Sequence, residues 1–343
     1  MKNPYSLVFG MEPPEYISRL VQTEEVVESL SDMSQRVYMI TGVRGSGKTV
    51  FMTEIKSIFA QNKDWVVIEL SSERDMLQSL AAKLSAREKI SDIFKRAKNN
   101  LSMFGVDIEL GGQEPVTDIE VMLQKMLEAL KNHGKNVLVL VDEAIDNKSV
   151  REFASVFQIL IRDGLPISMM MTGLYENIDD LQNEKNLTFL HRAPKIRLSP
   201  LSIGTMAASY RKNLKVDEDQ SIQLAQMTRG YSYAFQALGS AMWEENCDLE
   251  RALVKTRQYL DEYVYDKIWS ELSEKDKQIV AAVQKSEDGK IKGIRESLGL
   301  ESNQFAPYKK RLIRKGVIDD VSGYAKFSLP FFDKFVRENY WEE

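Results

Sequence analysis

Residues 42–49 read Gly42, Val43, Arg44, Gly45, Ser46, Gly47, Lys48 and Thr49, and this octapeptide constrains the fold more than any other part of the chain. It fits the phosphate-loop pattern G-x-x-x-x-G-K-[ST]. A polyphosphate has to be cradled by backbone N–H groups, so such a loop needs glycine where a Cβ would block close approach or where φ is positive. The helix that follows points its positive N-terminus at the anion. In this reading residues 42–49 and Val50 surround the phosphates, Lys48 reaches the β- and γ-phosphates, and the Thr49 hydroxyl is a ligand for Mg²⁺. The flanks agree. Residues 37–41 are a short apolar run suited to a buried strand. Residues 50–60 read as an amphipathic helix with Phe51, Ile55, Ile58 and Phe59 along one side.

Composition narrows the class further. A chain of 343 residues should hold two or three domains. The net charge of −5 excludes a globally basic nucleic-acid coat but leaves room for a local basic patch. Cys247 is the only cysteine, so an internal disulfide and a cysteine zinc cluster are both excluded. It is expected to be a small, buried or half-buried side chain. His133 and His191 are the only histidines, which argues against a metal site or a Ser-His hydrolase. The N-terminus lacks the apolar core of a signal peptide, and the longest apolar runs, near 137–141 and 167–171, are too short to span a bilayer. A reducing cytoplasm and no membrane are expected.

The organisation is that of an α/β chain with helical additions. Residues 1–34 form a leader, rigid at Asn3-Pro4 and Pro13-Pro14, with a helical pattern from about 16 to 30. Strands are expected at 37–41, 66–70, 137–142, 167–172 and 195–198, alternating with helices. The stretch 73–135 opens with helical patterning, alternates over 103–109 up to Gly111-Gly112, and closes with a helix capped by Thr117 or Asp118. From about 199 the strands stop. Periodic helices run through 206–214, 217–227, 233–245 and 249–265. A last unit holds helices at 276–284, 291–298 and 302–315, then short strands at 317–318 and 325–327. Domains are therefore expected at 1–198, 199–268 and 269–343, with no internal repeats.

A second motif completes the reading. Residues 138–141 are apolar and end in Asp142 and Glu143. In a parallel sheet the C-terminal strand edge faces the ligand crevice. Asp142 would then hold Mg²⁺, and Glu143 would orient and deprotonate the water attacking the γ-phosphate. Asp146 nearby reads as solvated. Thr172, at the end of the next strand, would probe the γ-phosphate, or else cap the following helix. Arg192 could stabilise the γ-phosphate within the subunit or from a neighbour, or be an ordinary surface or salt-bridged arginine. The Arg44 side chain should point outward, to packing or an acidic partner.

With these motifs placed, the chain resembles an AAA+ ATPase of the initiator-like, origin-recognition type. The resemblance rests on Asn3-Pro4-Tyr5 with Phe9-Gly10, residues 42–49 and 140–143, and Thr172-Gly173. It extends through Arg192 with residues 197–201, residues 230–239, and Gly316 within 311–318. It implies a P-loop core with a parallel sheet, a helical lid and a C-terminal winged helix. It also implies that residues 13–19 help hold the adenine and that Arg192 matches an inter-subunit arginine finger, as in a homo-oligomer. The chain departs from the family in three places. The gap between the two motifs is long, so 73–117 reads as an insertion. The lid segment Gly230-Tyr231-Ser232-Tyr233 lacks the arginine that many such lids aim at the γ-phosphate. It also lacks the proline of the related signalling ATPases.

Residues 291–315 read as helix-turn-helix, the second helix ending in Lys309, Lys310, Arg311, Arg314 and Lys315, with the following hairpin as a wing. Those five cations could neutralise phosphates of duplex DNA. Yet residues 271–343 carry fourteen Lys/Arg against thirteen Asp/Glu, a net charge of +1, which leaves protein contact or a solvated helix open. Phe331, Phe332, Phe335, Val336 and Trp341 form an apolar stripe expected to pack on the winged helix. The sequence thus points to a cytoplasmic ATPase that binds ATP and Mg²⁺, hydrolyses ATP slowly, and uses the nucleotide state to control a winged helix, with DNA as its target. The alternative is a signalling or assembly switch whose winged helix contacts protein.

Overall fold

The computed structural model describes residues 2–8, 12–87, 90, 93–94 and 118–340. The 103–109 alternation, Gly111-Gly112, Phe9-Gly10, Thr117 and Trp341 lie outside these residues. The chain divides into two compact units, Leu20–Thr41 with Phe51–Arg197, and Met1–Arg19 with Gly42–Val50 and Leu198–Glu343.

The first unit is built on a parallel sheet. Its strands are β1 (Val37–Thr41), β2 (Trp65–Ser71), β3 (Asn136–Asp142), β4 (Ile167–Gly173) and β5 (Lys195–Arg197), in the order β2-β3-β4-β1-β5. Every residue of β1 and β4 is buried, which is why both read as continuous apolar runs rather than alternating ones. Pairing is parallel throughout, so Thr41, Asp142 and Gly173 end their strands at one sheet edge. The helices here are α1 (Leu20–Ser31), α2 (Lys48–Gln61, shared with the second unit through its first turn), α3 (Met76–Ser85), α4 (Ile119–Asn132), α5 (Lys148–Arg162) and α6 (Tyr175–Asn183). Asp118 caps α4 by accepting the Glu120 N–H, and Asn147 caps α5 by accepting the Val150 N–H at 2.9 Å. Phe51, Ile55 and Phe59 of α2 are buried, whereas Ile58 is 37% exposed and so departs from the apolar side expected of it. At about 100° per residue Ile58 falls at the rim of the stripe formed by Phe51, Met52, Ile55 and Phe59.

The second unit is helical apart from a hairpin. It holds α7 (Ile203–Leu214), α8 (Glu218–Met227), α9 (Ser232–Glu244) and α10 (Leu249–Leu260). A π-helical turn, Asp261–Tyr265, then leads into α11 (Asp266–Ser270). After these come α12 (Glu274–Lys285), α13 (Ile291–Ser297), α14 (Ser302–Arg314), the antiparallel strands β6 (Ile318–Val321) and β7 (Tyr324–Phe327), and α15 (Phe332–Asn339). One core gathers Tyr5, Tyr210, Phe235 and Leu238. A second gathers Tyr265, Phe332, Phe335 and Val336, so the described part of the C-terminal stripe is packed, as its pattern suggests. Cys247 corrects the expectation of burial. It is exposed, at φ 65° past the end of α9, where the chain turns out of the helix. No helix among the described residues is long and apolar enough to cross a membrane.

Candidate functional site

The loop at 42–50 takes its shape from its glycines. Gly45 and Gly47 have φ of 74° and 88°, a region costly for any residue with a Cβ. The Ser46 N–H closes a turn onto the Val43 carbonyl at 3.1 Å. The Lys48 ammonium donates to the Gly42 and Val43 carbonyls at 3.0 and 3.2 Å. The next three carbonyls are held by groups outside the loop. The Tyr231 hydroxyl donates to Arg44 O, the Tyr233 N–H to Gly45 O at 3.1 Å, and the Ser232 hydroxyl to Ser46 O at 2.9 Å. Arg19 donates to Ser46 O at 2.8 Å, to Ser232 Oγ at 3.0 Å and to Ser199 O at 2.9 Å. Burial pushes the Tyr231 phenol well up, so it stays a donor. The Arg44 guanidinium leaves the loop and pairs with Glu271 at 2.9 Å.

The loop's chemistry suits an anion. Ser46 Oγ is buried without a hydrogen-bond partner among the described residues. Thr49 and Val50 sit in the first turn of α2, whose N-terminus opens at Lys48.

The acidic pair belongs to the first unit. Asp142 ends β3, and Glu143 follows at φ 50°, a conformation that costs about 1 kcal/mol for a residue with a side chain. Hydrogen bonds offset that cost. The Glu143 N–H donates to Asp142 Oδ1 at 3.1 Å and weakly to Thr172 Oγ1 at 3.4 Å, and the Ala144 N–H donates to Thr172 O at 2.8 Å. Thr172 is fully buried and donates its hydroxyl to Asp142. It caps no helix, because the α6 N-cap is Leu174. The sheet thus joins Asp142, Glu143 and Thr172 into one hydrogen-bonded group. Asp146 is not simply solvated. Arg151 grips it through two bonds of 2.6 Å, which lowers its pKa. Arg192 is exposed, in a short 3₁₀ turn, Leu190–Arg192, ahead of β5. Among the described residues no group of three or more His, Cys, Asp or Glu could hold a metal alone. Thr49 in one unit offers a hydroxyl oxygen and Asp142 in the other a carboxylate, each a donor of the type Mg²⁺ takes.

The basic helix is less available than its sequence suggests. Arg311 lies bidentate on Asp276 at 3.1 and 2.7 Å, and Asp276 is 1% exposed. Lys309 pairs with Asp320 at 2.7 Å, and Lys315 donates to Glu271 O at 3.0 Å. Periodicity could not show these pairings, because every acceptor lies on another element.

The model of an ATPase domain predominantly from Archaea matches residues 16–191. This chain belongs to that ATPase family. A model of a domain of unknown function matches residues 262–336. Among solved structures, the ATPase resembles a Walker-type ATPase of Pyrococcus abyssi (TM-score 0.66, 16% identity, 94% of this chain and 96% of that one). It also resembles the ORC2 protein of Aeropyrum pernix in its ADPNP–ADP complexes (TM-score 0.63, 12% identity, 96% and 95%). No curated protein matches the ATPase. It shares the fold of these two proteins, with the expected parallel sheet and a helical C-terminal region.

Proposed function

We propose that this ATPase binds ATP with Mg²⁺, hydrolyses it slowly, and uses the bound nucleotide to set the state of a helical lid (199–268) and a winged helix (269–343) attached to a P-loop core (1–198). The observation that carries the reading is the glycine-shaped loop ending at Lys48 on the N-terminus of α2. Gly42, Val43, Arg44, Gly45, Ser46, Gly47, Lys48, Thr49 and Val50 would surround the phosphates, with Lys48 exchanging two loop carbonyls for phosphate oxygens. Thr49 and Asp142 would hold Mg²⁺, which supplies charge neutralisation on the phosphates when bound. Glu143 would accept the proton of the attacking water. Thr172, through its hydrogen bond, would orient the Asp142 carboxylate rather than touch nucleotide. Arg192, exposed, would act on the γ-phosphate of a neighbouring copy in a homo-oligomer.

The target of the winged helix separates two readings. The basic helix supports duplex DNA, with Lys309, Lys310, Arg311, Arg314 and Lys315 as its cations. The internal pairing of Lys309, Arg311 and Lys315 favours the second reading, a cytoplasmic signalling or assembly switch whose winged helix contacts protein. ATP turnover measured with and without duplex DNA, at two salt concentrations, decides between them. Turnover and DNA affinity indifferent to Lys310→Glu/Arg314→Glu would exclude the DNA reading.

A further inference from the structure

We propose that Tyr231 and Ser232, with the Tyr233 N–H, form a clasp that presets the phosphate loop for nucleotide, so that the lid is coupled to the nucleotide through loop carbonyls rather than through a charged side chain. The inference rests on the nucleotide reading above. In a trans peptide the C=O and the following N–H share a plane and point in opposite directions. Holding Arg44 O fixes the direction of the Gly45 N–H, and holding Ser46 O fixes that of the Gly47 N–H. These are the two positive-φ positions, where the backbone has the most freedom to turn the wrong way. The Gly45 O contact, through the Tyr233 N–H, ties down the peptide between them. With Lys48 on the first two carbonyls, all five carbonyls of residues 42–46 are turned onto named donors.

Close packing supports the clasp. A Cβ on Gly45 would fall 2.3 Å from the Tyr231 hydroxyl and 3.0 Å from Tyr233 Cβ. The small residue at position 45 therefore admits the lid as well as permitting the turn. Arg19 ties the same point to the leader by bridging Ser46 O and Ser232 Oγ. The Arg44–Glu271 pair extends the connection to the segment before α12. Tyr231 and Ser232 are positioning residues, because they act on the loop and touch no reacting atom.

The test compares wild type with Tyr231→Phe/Ser232→Ala in the full chain, using ADPNP with Mg²⁺ as probe. Tyr231→Phe keeps the ring and its packing, and Ser232→Thr serves as a variant that retains the hydroxyl. We expect ADPNP affinity to fall about tenfold in the double variant, from two lost hydrogen bonds, and to stay within about twofold in Ser232→Thr. In wild type, ADPNP should slow exchange of the Tyr233 amide, because coupling is reciprocal, and in the double variant it should not. Equal affinities, tighter binding by the double variant, or a Tyr233 amide indifferent to ADPNP in wild type would overturn the clasp alone. A wild type that binds no ADPNP would overturn the nucleotide reading and the clasp with it.

Discussion

At the scale of single residues, two carboxylates carry opposite lessons. Asp276 is buried and fully engaged by Arg311 and by its cap, Ser273. Removing the guanidinium leaves a carboxylate held, among the described residues, only by Ser273, with no opposite charge, in a poorly solvated place. Arg311→Ala should therefore cost about 2 kcal/mol, toward the low end for a buried pair because Arg311 reaches water, and urea unfolding would measure it. Asp261 is the reverse case. Half-buried in the π-turn, it is pushed up to about 6, first by desolvation and then by Glu338 and Asp266. Arg257 opposes the shift and Glu262 adds to it. The unfolded chain releases this proton near 3.8, so between those values the folded state holds a proton that the unfolded state has lost. Stability should rise as pH falls through about 6 and level off below 3.8. Asp261→Asn should be more stable than wild type at pH 7.5 and lose that slope in melts taken across the range. Sequence shows only the near neighbours, Ser273 beside Asp276 and Arg257, Glu262 and Asp266 beside Asp261; Arg311 and Glu338 come from distant helices and are chosen by packing.

At the scale of elements, the strands follow the sequence closely. A parallel strand buried on both faces must be apolar throughout, and only its ends are ambiguous. The helices depart more. The leader helix begins at Leu20 rather than near 16, because residues before it are drawn to other contacts, Arg19 to Ser46 and Glu15 through its carbonyl to Gln236. The single helix expected over 249–265 breaks into a π-turn, since Val264 and Tyr265 must both be buried. Gly239 shows what periodicity misses. It sits inside α9, where alanine would gain about 1 kcal/mol of helix propensity. A Cβ there would meet the Tyr5 ring at 2.6 Å. Tyr5 cannot yield, being packed between Tyr210 and Phe235 at centroid distances of 5.7 and 5.5 Å. Overpacking of this kind costs about 1–3 kcal/mol, so the clash should win. In Gly239→Ala the leader should become sensitive to limited proteolysis while the sheet unit stays protected; a leader as resistant as in wild type would contradict the argument.

At the scale of the whole molecule, the predictions concern chemistry. Lys48→Ala should lower ATP affinity by at least tenfold, because the charge-assisted contact proposed for it with the phosphates would be lost. Glu143→Gln should keep ATP binding and abolish turnover, because the amide cannot accept the proton of the attacking water. Unchanged turnover in that variant would contradict the assigned base. Isothermal titration with ADPNP and a phosphate-release assay read the two effects separately.

The amino-acid order alone determined the strand–loop–helix at 37–61, the acidic strand end at 142–143, the α/β class and the helical remainder. These signals are local: a glycine pattern, an apolar run or a helical period lies within about twenty residues, so physics acting along the chain suffices to write them. Only the tertiary structure decided that Tyr5 seats on Gly239, that Tyr231 and Ser232 hold the loop carbonyls, and that Arg311 is spent on Asp276. Each of those contacts joins residues 35 to more than 200 positions apart, the shortest being Asp276 to Arg311 and the longest Tyr5 to Gly239. A hydrogen bond or a ring edge has no sequence period, and its partner is chosen by packing.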